Sequence, residues 1–285
     1  YDYSLLLLEK NRKTLEPKQD FVAFAPSFDT RMKTAYELAI SDSIHLDKSY
    51  LTLLPQPFSV TIAKKYSKRY GGSSFLNKNA SKRIFTESAN EHKIIHIGTH
   101  AESNNVNPEL SRLVFAKNTA DSTQINDNYL YTYEIYNQSL NSNLAILTAC
   151  ETGKPAYQPG EGMISLAHAF NYAGSESILT SLWQIDEQSS TQILDYFYTY
   201  LEQGMPKDAA LKKAKLDYLN VAEGRTLHPQ YWAGLILMGD TAPIALSKPF
   251  PWIWVIAPIL VVLVLMMILY KRKASNNFEG LSKTS

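Results

Sequence analysis

Hydrophobic residues over the first 248 positions form short apolar runs that alternate with longer stretches of helical spacing. The runs that predict β-strands lie at residues 21–25, 93–97, 113–116, 144–147, 177–181 and 235–238. Unbroken apolar runs, rather than alternating ones, are typical of strands buried on both faces of a parallel sheet. The pattern therefore predicts an α/β domain with a largely parallel sheet flanked by helices.

Apolar positions at intervals of three and four predict helices between these runs. One spans residues 192–204 and ends at Gly204, and another follows Pro206, which suits a first helical position. A third spans residues 163–172 and is closed by Gly174.

Tyrosines cluster just before the fourth strand. The alternation of Tyr129, Tyr131 and Tyr133 predicts an edge strand, with a short helical turn at residues 134–136. Half-buried packing and an interaction surface both account for this cluster.

The apolar pattern changes near the carboxyl terminus. No charged residue occurs over the 22 positions 249–270, which as a helix would be roughly 33 Å long, enough to cross a bilayer. Trp252 and Trp254 lie at one end and Tyr270 at the other, where aromatic rings favour the membrane interface. The segment predicts a single transmembrane helix over residues 251–270.

Charge refines this picture. The 28 basic and 27 acidic residues give a net charge of +1, which offers no electrostatic case for nucleic-acid binding. Residues 271–285 carry four bases and Glu279, a net of +3, so residues 1–270 sum to −2. The positive-inside tendency predicts that this basic tail stays in the cytoplasm and that the body lies on the non-cytoplasmic side.

Two chemically reactive residues follow neighbouring strands. Residues 93–97 run into Gly98-Thr99-His100, and residues 144–147 run into Thr148-Ala149-Cys150. Because the carboxyl ends of parallel strands meet at one edge, we expect the imidazole of His100 and the thiol of Cys150 to lie together. A thiol beside a base can act as a nucleophile, and backbone N–H groups near Ala101 and at Cys150 could form an oxyanion hole.

Other interpretations of these residues remain open. Cys150 is the single cysteine, which excludes an intramolecular disulfide, and an inert buried thiol is a common role for such a residue. His96, His100 and Cys150 could supply three zinc ligands, but no fourth ligand has a clear spacing, so no metal site is predicted. Redox sensing would need a resolving cysteine, which this chain lacks.

Four blocks resemble the CHAT domain family. They are IIHIGTHA at residues 94–101, LAILTACETGKPAYQPGEGMISLAHAFNYAGSESILTSLWQID at 144–186, GMPKDAALKKAKLDYL at 204–219 and HPQYWAGLILMGD at 228–240. The resemblance implies a caspase-like fold and a cysteine peptidase with His100 as general base and Cys150 as nucleophile. It implies no cofactor, and it suggests tetratricopeptide repeats upstream of Tyr1, since the chain does not begin with methionine.

Three further residues are candidates for substrate contact, and each also has a structural explanation. Glu161 could meet a basic substrate side chain or reinforce a helix start. Trp183 could form a pocket wall or pack over the sheet edge. Asp186 could bind substrate or cap the following helix.

Together these features predict a membrane-anchored cysteine endopeptidase that cleaves a protein substrate, with a catalytically degenerate interaction scaffold as the alternative. The expected partners are that substrate, an upstream repeat domain and the lipid bilayer. The expected segments are a remnant of a longer chain (1–19), the caspase-like domain (20–240), a linker (241–250), the transmembrane helix (251–270) and a basic tail (271–285).

Overall fold

The computed structural model describes residues 17–40, 46–104, 106–120, 125–148, 150–151, 161–246, 258 and 266–267, of which 150–151 and 161–165 are described as backbone only. The chain divides into two units, Tyr1–Ser247 and Lys248–Ser285. The fold described below belongs to the first unit.

The described strands, in chain order, are β1 (Gln19–Ala25), β2 (Ser73–Leu76), β3 (His92–Ile97), β4 (His100–Glu102), β5 (Arg112–Val114), β6 (Tyr129–Tyr131), β7 (Leu144–Leu147), β8 (Cys150–Glu151), β9 (Ser177–Ser181) and β10 (Leu235–Gly239). The α-helices are α1 (Thr30–Ala39), α2 (Lys48–Thr52), α3 (Pro57–Arg69), α4 (Lys82–Ser88), α5 (Thr132–Ile135), α6 (Glu161–Tyr172), α7 (Glu187–Glu202) and α8 (Lys207–Val221). Short 3₁₀ helices occupy Asn77–Asn79, Pro108–Leu110, Gly224–Leu227 and Pro229–Tyr231.

A six-stranded sheet forms the centre of the domain, in the order β10-β9-β7-β3-β1-β2. All neighbours are parallel except β10, which runs antiparallel to β9. Five of the six predicted strands lie in this sheet, so the predicted α/β class with a largely parallel sheet is confirmed. The sixth run, residues 113–116, overlaps β5, which belongs to a second sheet.

Strand β1 shows why the apolar runs are unbroken. Val22 and Phe24 pack into a cluster with α4 and α6, whereas Phe21 and Ala23 pack into one with α3, α7 and α8. All four side chains are fully buried. Since successive residues of a strand point to opposite faces, helices on both sides require apolar residues at every position.

Helix α7 begins five residues before the predicted start at residue 192. The side chain of Asp186 accepts a hydrogen bond from the backbone N–H of Ser189, which caps the first turn of the helix. Helix α6 ends at Tyr172, and Gly174 follows it with a φ of +114°, where a Cβ would lie 1.8 Å from the carbonyl oxygen of Leu140. Glycine is required there because any side chain would meet that carbonyl.

A second, four-stranded sheet has the order β6-β5-β4-β8. Strand β5 is antiparallel to both β4 and β6, whereas β8 is parallel to β4. Strand β6 is an edge strand, as predicted from the alternating tyrosines, but Tyr133 lies in α5 rather than in the strand. This small sheet continues from the carboxyl ends of β3 and β7, because β4 and β8 follow those strands closely in the chain.

No helix among the described residues has the length and apolar character needed to cross a membrane. The predicted transmembrane segment, residues 251–270, falls outside the described part of the chain except at Pro258, Met266 and Met267, which are helical.

Candidate active site

The two sheets bring the backbones of His100 and Cys150 together. Strands β3 and β7 pair in register, with Ile94 opposite Leu144 and Ile97 opposite Leu147. The same offset of 50 residues continues beyond them, because His100 in β4 pairs with Cys150 in β8. The fold therefore juxtaposes the two predicted catalytic positions, while the side chain of Cys150 lies outside the described atoms.

The imidazole of His100 is almost completely buried, with 4% of its surface exposed. Its Nε2 lies 2.7 Å from the carbonyl oxygen of Leu54. A carbonyl can only accept a hydrogen bond, so Nε2 carries the proton and Nδ1 of a neutral ring keeps a free lone pair. Among the described atoms, Nδ1 has no hydrogen-bond partner.

Burial is the main cause that lowers the pKa of His100 below its ordinary value. The hydrogen bond to Leu54 opposes this shift, because a carbonyl stabilises the protonated ring, whereas the positive charge of Lys33 adds to it. The ring of Phe28, with its centroid 4.9 Å from that of the imidazole, covers one side of it. This environment favours neutral imidazole at physiological pH, the form that can act as a base.

The carbonyl of Leu54 is held by the segment that joins α2 to α3. Lys33 Nζ donates to the carbonyl of Leu53 at 2.5 Å, and the backbone N–H of Gln56 donates to the carbonyl of Ser27 at 2.9 Å. The side-chain amide of Gln56 reaches the carbonyl of Thr99 at 3.4 Å. Sequence reasoning missed this segment because a backbone carbonyl carries no residue-type signal.

A cavity of about 390 Å³ opens beside His100. Its described lining consists of Leu54, Pro55, Gln56, His100, Gln184, Ile185, Asp186, Glu187, Gln230 and Tyr231. The lining includes two carboxylates, and no lysine or arginine is among these residues. Gln56 is buried, and its Oε1 has no hydrogen-bond partner among the described atoms.

The two carboxylates are anchored at the start of α7. Asp186 uses Oδ1 to accept hydrogen bonds from the N–H and hydroxyl of Ser189, both at 2.9 Å. Glu187 uses Oε1 to accept the backbone N–H of Ser59 at 2.8 Å. Burial is the main cause that raises the pKa of Glu187. Asp186 thus caps the helix and lines the cavity, whereas its contact with substrate stays a prediction; Glu187 lines the same cavity.

Trp183 supports the cavity from outside the described lining. Its indole Nε1 donates to the carbonyl of Gln230 at 2.9 Å, and the ring packs so closely on Gly234 that a Cβ there would lie 2.7 Å from it. Trp183 therefore packs over the sheet edge. Gln230, which accepts its hydrogen bond, and the neighbouring Tyr231 line the cavity.

The other predicted site residues, Glu161 and Ala101, have defined positions along the backbone. Glu161 is the first residue of α6, consistent with a position at a helix start, and its side chain lies outside the described atoms. Ala101 is fully buried in β4, between Leu113 of β5 and Glu151 of β8. The oxyanion role of the Ala101 and Cys150 backbones stays a prediction.

His96 lies in β3 of the six-stranded sheet and is fully buried. Its Nδ1 forms a hydrogen bond of 2.8 Å with the hydroxyl of Tyr198, and the ring stacks on Phe21. Among the described residues, no group of three or more His, Cys, Asp or Glu side chains could hold a metal ion.

The solved structures that resemble this chain include a cysteine proteinase. Gingipain R, described as an Arg-specific cysteine proteinase, superposes with a TM-score of 0.51 at 10% identity over 85% of this chain and 52% of its own. The separase–securin complex of Saccharomyces cerevisiae gives 0.44 at 12% identity over 82% of this chain and 13% of that one. The likeness to gingipain R defines the class of fold as that of caspase-like cysteine proteases.

The family is defined by sequence. The CHAT domain matches residues 4–240, so the chain belongs to the CHAT domain family. A shorter segment of 82 residues is 34% identical to human tetratricopeptide repeat protein 28 and 30% identical to the mouse protein. That segment covers 28% of this chain and 3% of each relative.

The buried state of His96 predicts an acid-sensitive stability. Burial lowers its pKa from 6.5 to about 4. The unfolded chain therefore binds a proton near pH 6.5, whereas the folded protein resists protonation until about pH 4. The buried neutral ring of His96 thus makes a contribution to the free energy of unfolding that is complete above pH 6.5. This contribution is lost as pH falls toward 4, by up to about 3 kcal/mol for a difference of 2.5 pKa units.

His96→Phe should flatten this part of the pH dependence, although loss of the Tyr198 hydrogen bond lowers stability at every pH. Urea unfolding between pH 7 and 4.5 measures the slope. Ile95→Val, on the same strand, is the control, because it removes a buried methyl without removing a titrating group. Equal slopes in His96→Phe and the parent would contradict the prediction.

Proposed function

We propose that the protein is a cysteine endopeptidase in which His100 and Cys150 form the catalytic dyad. The observation that carries this proposal is the register that pairs the two residues across β4 and β8. Membership of the CHAT family and the fold shared with cysteine peptidases support it.

In the proposed reaction, Nδ1 of His100 accepts the proton of the Cys150 thiol, and the thiolate attacks the carbonyl carbon of the scissile peptide. Backbone N–H groups near Ala101 and at Cys150 hold the oxyanion of the tetrahedral intermediate. The imidazolium then protonates the leaving amine, which departs and leaves a thioester. Water, deprotonated by His100, attacks this thioester and releases the acid and the free thiol.

The carbonyl of Leu54 has a defined part in this cycle. It accepts the Nε2–H of His100 and so fixes the ring with Nδ1 as the basic atom. When the ring becomes positively charged, the same hydrogen bond strengthens, because its donor is then ionised. The carbonyl of Leu54 thus orients the imidazole of His100, as a carboxylate orients the histidine in a Ser-His-Asp triad.

The cavity beside His100 favours a substrate with a basic side chain. Asp186 and Glu187 supply negative charge, and the described lining includes no lysine or arginine to offset it. Oδ1 of Asp186 accepts hydrogen bonds from Ser189, and Oε1 of Glu187 accepts the backbone N–H of Ser59, so both carboxylates are held at the cavity. The arginine specificity of gingipain R is in line with this preference.

The proposal also includes two partners outside the described residues. The uncharged stretch at 249–270 would anchor the enzyme in a membrane, with the body on the non-cytoplasmic side and the basic tail in the cytoplasm. The local match to tetratricopeptide repeat protein 28 supports association with such repeats, as an upstream domain or a regulatory partner.

The dyad predicts covalent labelling of Cys150 by a peptide that carries a thiol-reactive group after lysine. Cys150→Ala should give no labelled protein, and His100→Ala should react at least about 100-fold more slowly because the base is lost. Intact-mass spectrometry over time measures the rates. Because burial lowers the pKa of His100, the neutral base and the reaction should persist below pH 6.5.

The control is His168→Gln, which changes a histidine of α6. A parent protein whose Cys150 stays unlabelled, or a His100→Ala variant that reacts at the parental rate, would contradict the dyad. If Cys150→Ala and the parent protein have the same effect when they are expressed in cells, this result would favour the interaction scaffold.

The acidic cavity predicts a preference for lysine over uncharged norleucine in the same probes. Asp186→Asn and Glu187→Gln keep an oxygen that accepts the hydrogen bonds of α7 and Ser59 but remove a charge. Each should reduce the ratio of the two labelling rates by about tenfold, since a hydrogen bond between two charged groups is lost.

Glu37→Gln, an exposed change on α1, is the control and should leave the ratio unchanged. The preference should also weaken as pH falls through the raised pKa of Glu187, because the carboxylate becomes neutral. Equal ratios in the two cavity variants and the control would show that these carboxylates do not select substrate.

The apolar segment predicts membrane association that resists alkaline carbonate. Val262→Arg combined with Leu265→Arg should release the protein, because each arginine near the bilayer centre costs about 3 kcal/mol. Ser275→Arg combined with Asn277→Arg, in the tail, should leave it in the pellet. Protease protection of the body but not of the tail would fix the sidedness, and parental protein in the soluble fraction would contradict the anchor.

A further inference from the structure

We infer that the cavity beside His100 is one end of a longer groove that binds the substrate as an extended polypeptide and ends at a shelf formed by Tyr131, Tyr133 and Leu110. This inference rests on the proposed peptidase function and adds a second recognition site remote from the dyad. It assigns to the shelf an uncharged apolar or aromatic side chain of the substrate.

The proposed groove runs through three cavities that adjoin one another, because each neighbouring pair shares lining residues. The cavity beside His100 and a second one of about 430 Å³ share Leu54 and Gln184. The second cavity and a third one of about 470 Å³ share Glu102 and Ser103. The described lining residues therefore form one path from the imidazole to the shelf.

Strand β4 gives the groove its length. It starts at His100, and the chain continues from Glu102 through Ser103 to Asn104, which also lines the third cavity. Four steps of an extended chain cover roughly 13 Å. An extended substrate lying alongside would place a side chain at the shelf about four residues from the cleaved bond.

The shelf is fixed before any ligand binds. The rings of Tyr131 and Tyr133 are stacked, with centroids 5.3 Å apart and planes at 15°. Arg112 donates to the hydroxyl of Tyr131 at 2.9 Å and forms an ion pair of 2.6 Å with Glu102. Its guanidinium carbon also lies 3.6 Å from the ring centre of Tyr129.

These contacts determine the chemistry of the occupant. The charges of Arg112 and Glu102 are paired with each other, so the far end of the groove has no excess charge to attract an ion. Tyr133 and Leu110 remain 45% and 44% exposed and offer a flat apolar surface. Aromatic faces bind aromatic and aliphatic side chains, and an ordered shelf binds at little conformational cost.

The groove is tested with internally quenched ten-residue peptides that contain a single lysine at the cleaved bond. Two of them carry phenylalanine at the fourth residue on the amino or the carboxyl side, and matched peptides carry aspartate there. The measured quantity is the ratio of kcat/KM for phenylalanine to that for aspartate. On the side that enters the groove, this ratio should be at least about tenfold.

Tyr133→Ala should abolish most of that ratio, and Tyr133→Phe should preserve it because the ring remains. Tyr172→Ala, a similarly exposed tyrosine on α6, is the matched control and should leave the ratio unchanged. A ratio near one on both sides of the lysine in the parent, or a full ratio in Tyr133→Ala, would overturn the inference.

Failure of the peptidase function would look different, since no peptide would then be cleaved. In that case Cys150→Ala and its Tyr133→Ala double variant are titrated with the fluorescein-labelled phenylalanine and aspartate peptides, and anisotropy measures the dissociation constants. Tighter binding of the phenylalanine peptide that disappears with Tyr133→Ala would support the groove alone. Equal constants for the two peptides would overturn it.

Discussion

The parallel pairing of β3 with β7 is the constraint on which the rest of the molecule depends. Its offset of 50 residues persists past the end of the large sheet and sets His100 opposite Cys150 in the small one. The spacing between the two residues along the chain is therefore a consequence of strand register. A slip by one residue would exchange the two faces of a strand and separate the pair.

Packing on both faces protects this register. The buried residues of β3 alternate between two apolar clusters, with Ile95 and Ile97 in one and Ile94 in the other. The polar side chain of His96, in the same strand, is accommodated by its hydrogen bond to Tyr198 and by the stacked ring of Phe21. The site is consequently built on rigid strands, with loops and helix starts adding the walls of the cavity.

The chemistry of the site comes from distant parts of the chain that meet at one edge. Leu54 orients the imidazole, and the start of α7 supplies Asp186 and Glu187. The side chain of Asp186 forms the N-cap hydrogen bond at the start of α7 and also lines the cavity. One carboxylate therefore stabilises the helix and adds charge to the cavity wall. Burial disfavours the charged form of both kinds of group at this edge, because it lowers the pKa of His100 and raises the pKa of Glu187.

The α/β class, five strands of the main sheet, the family and the meeting of His100 and Cys150 at one edge could all be predicted from the sequence. These follow from local periodicity and from residue types that only chemistry of a certain kind uses. Tertiary structure alone decided the pairing of strands in the second sheet, the carbonyl partner of His100 and the position of Asp186 and Glu187 beside it. Strands β4 and β8, of three and two residues, are too short to show a period in the sequence, and a backbone carbonyl has no residue type. Contacts between residues 46 or more positions apart arise from the fold as a whole, so local pattern could not predict them.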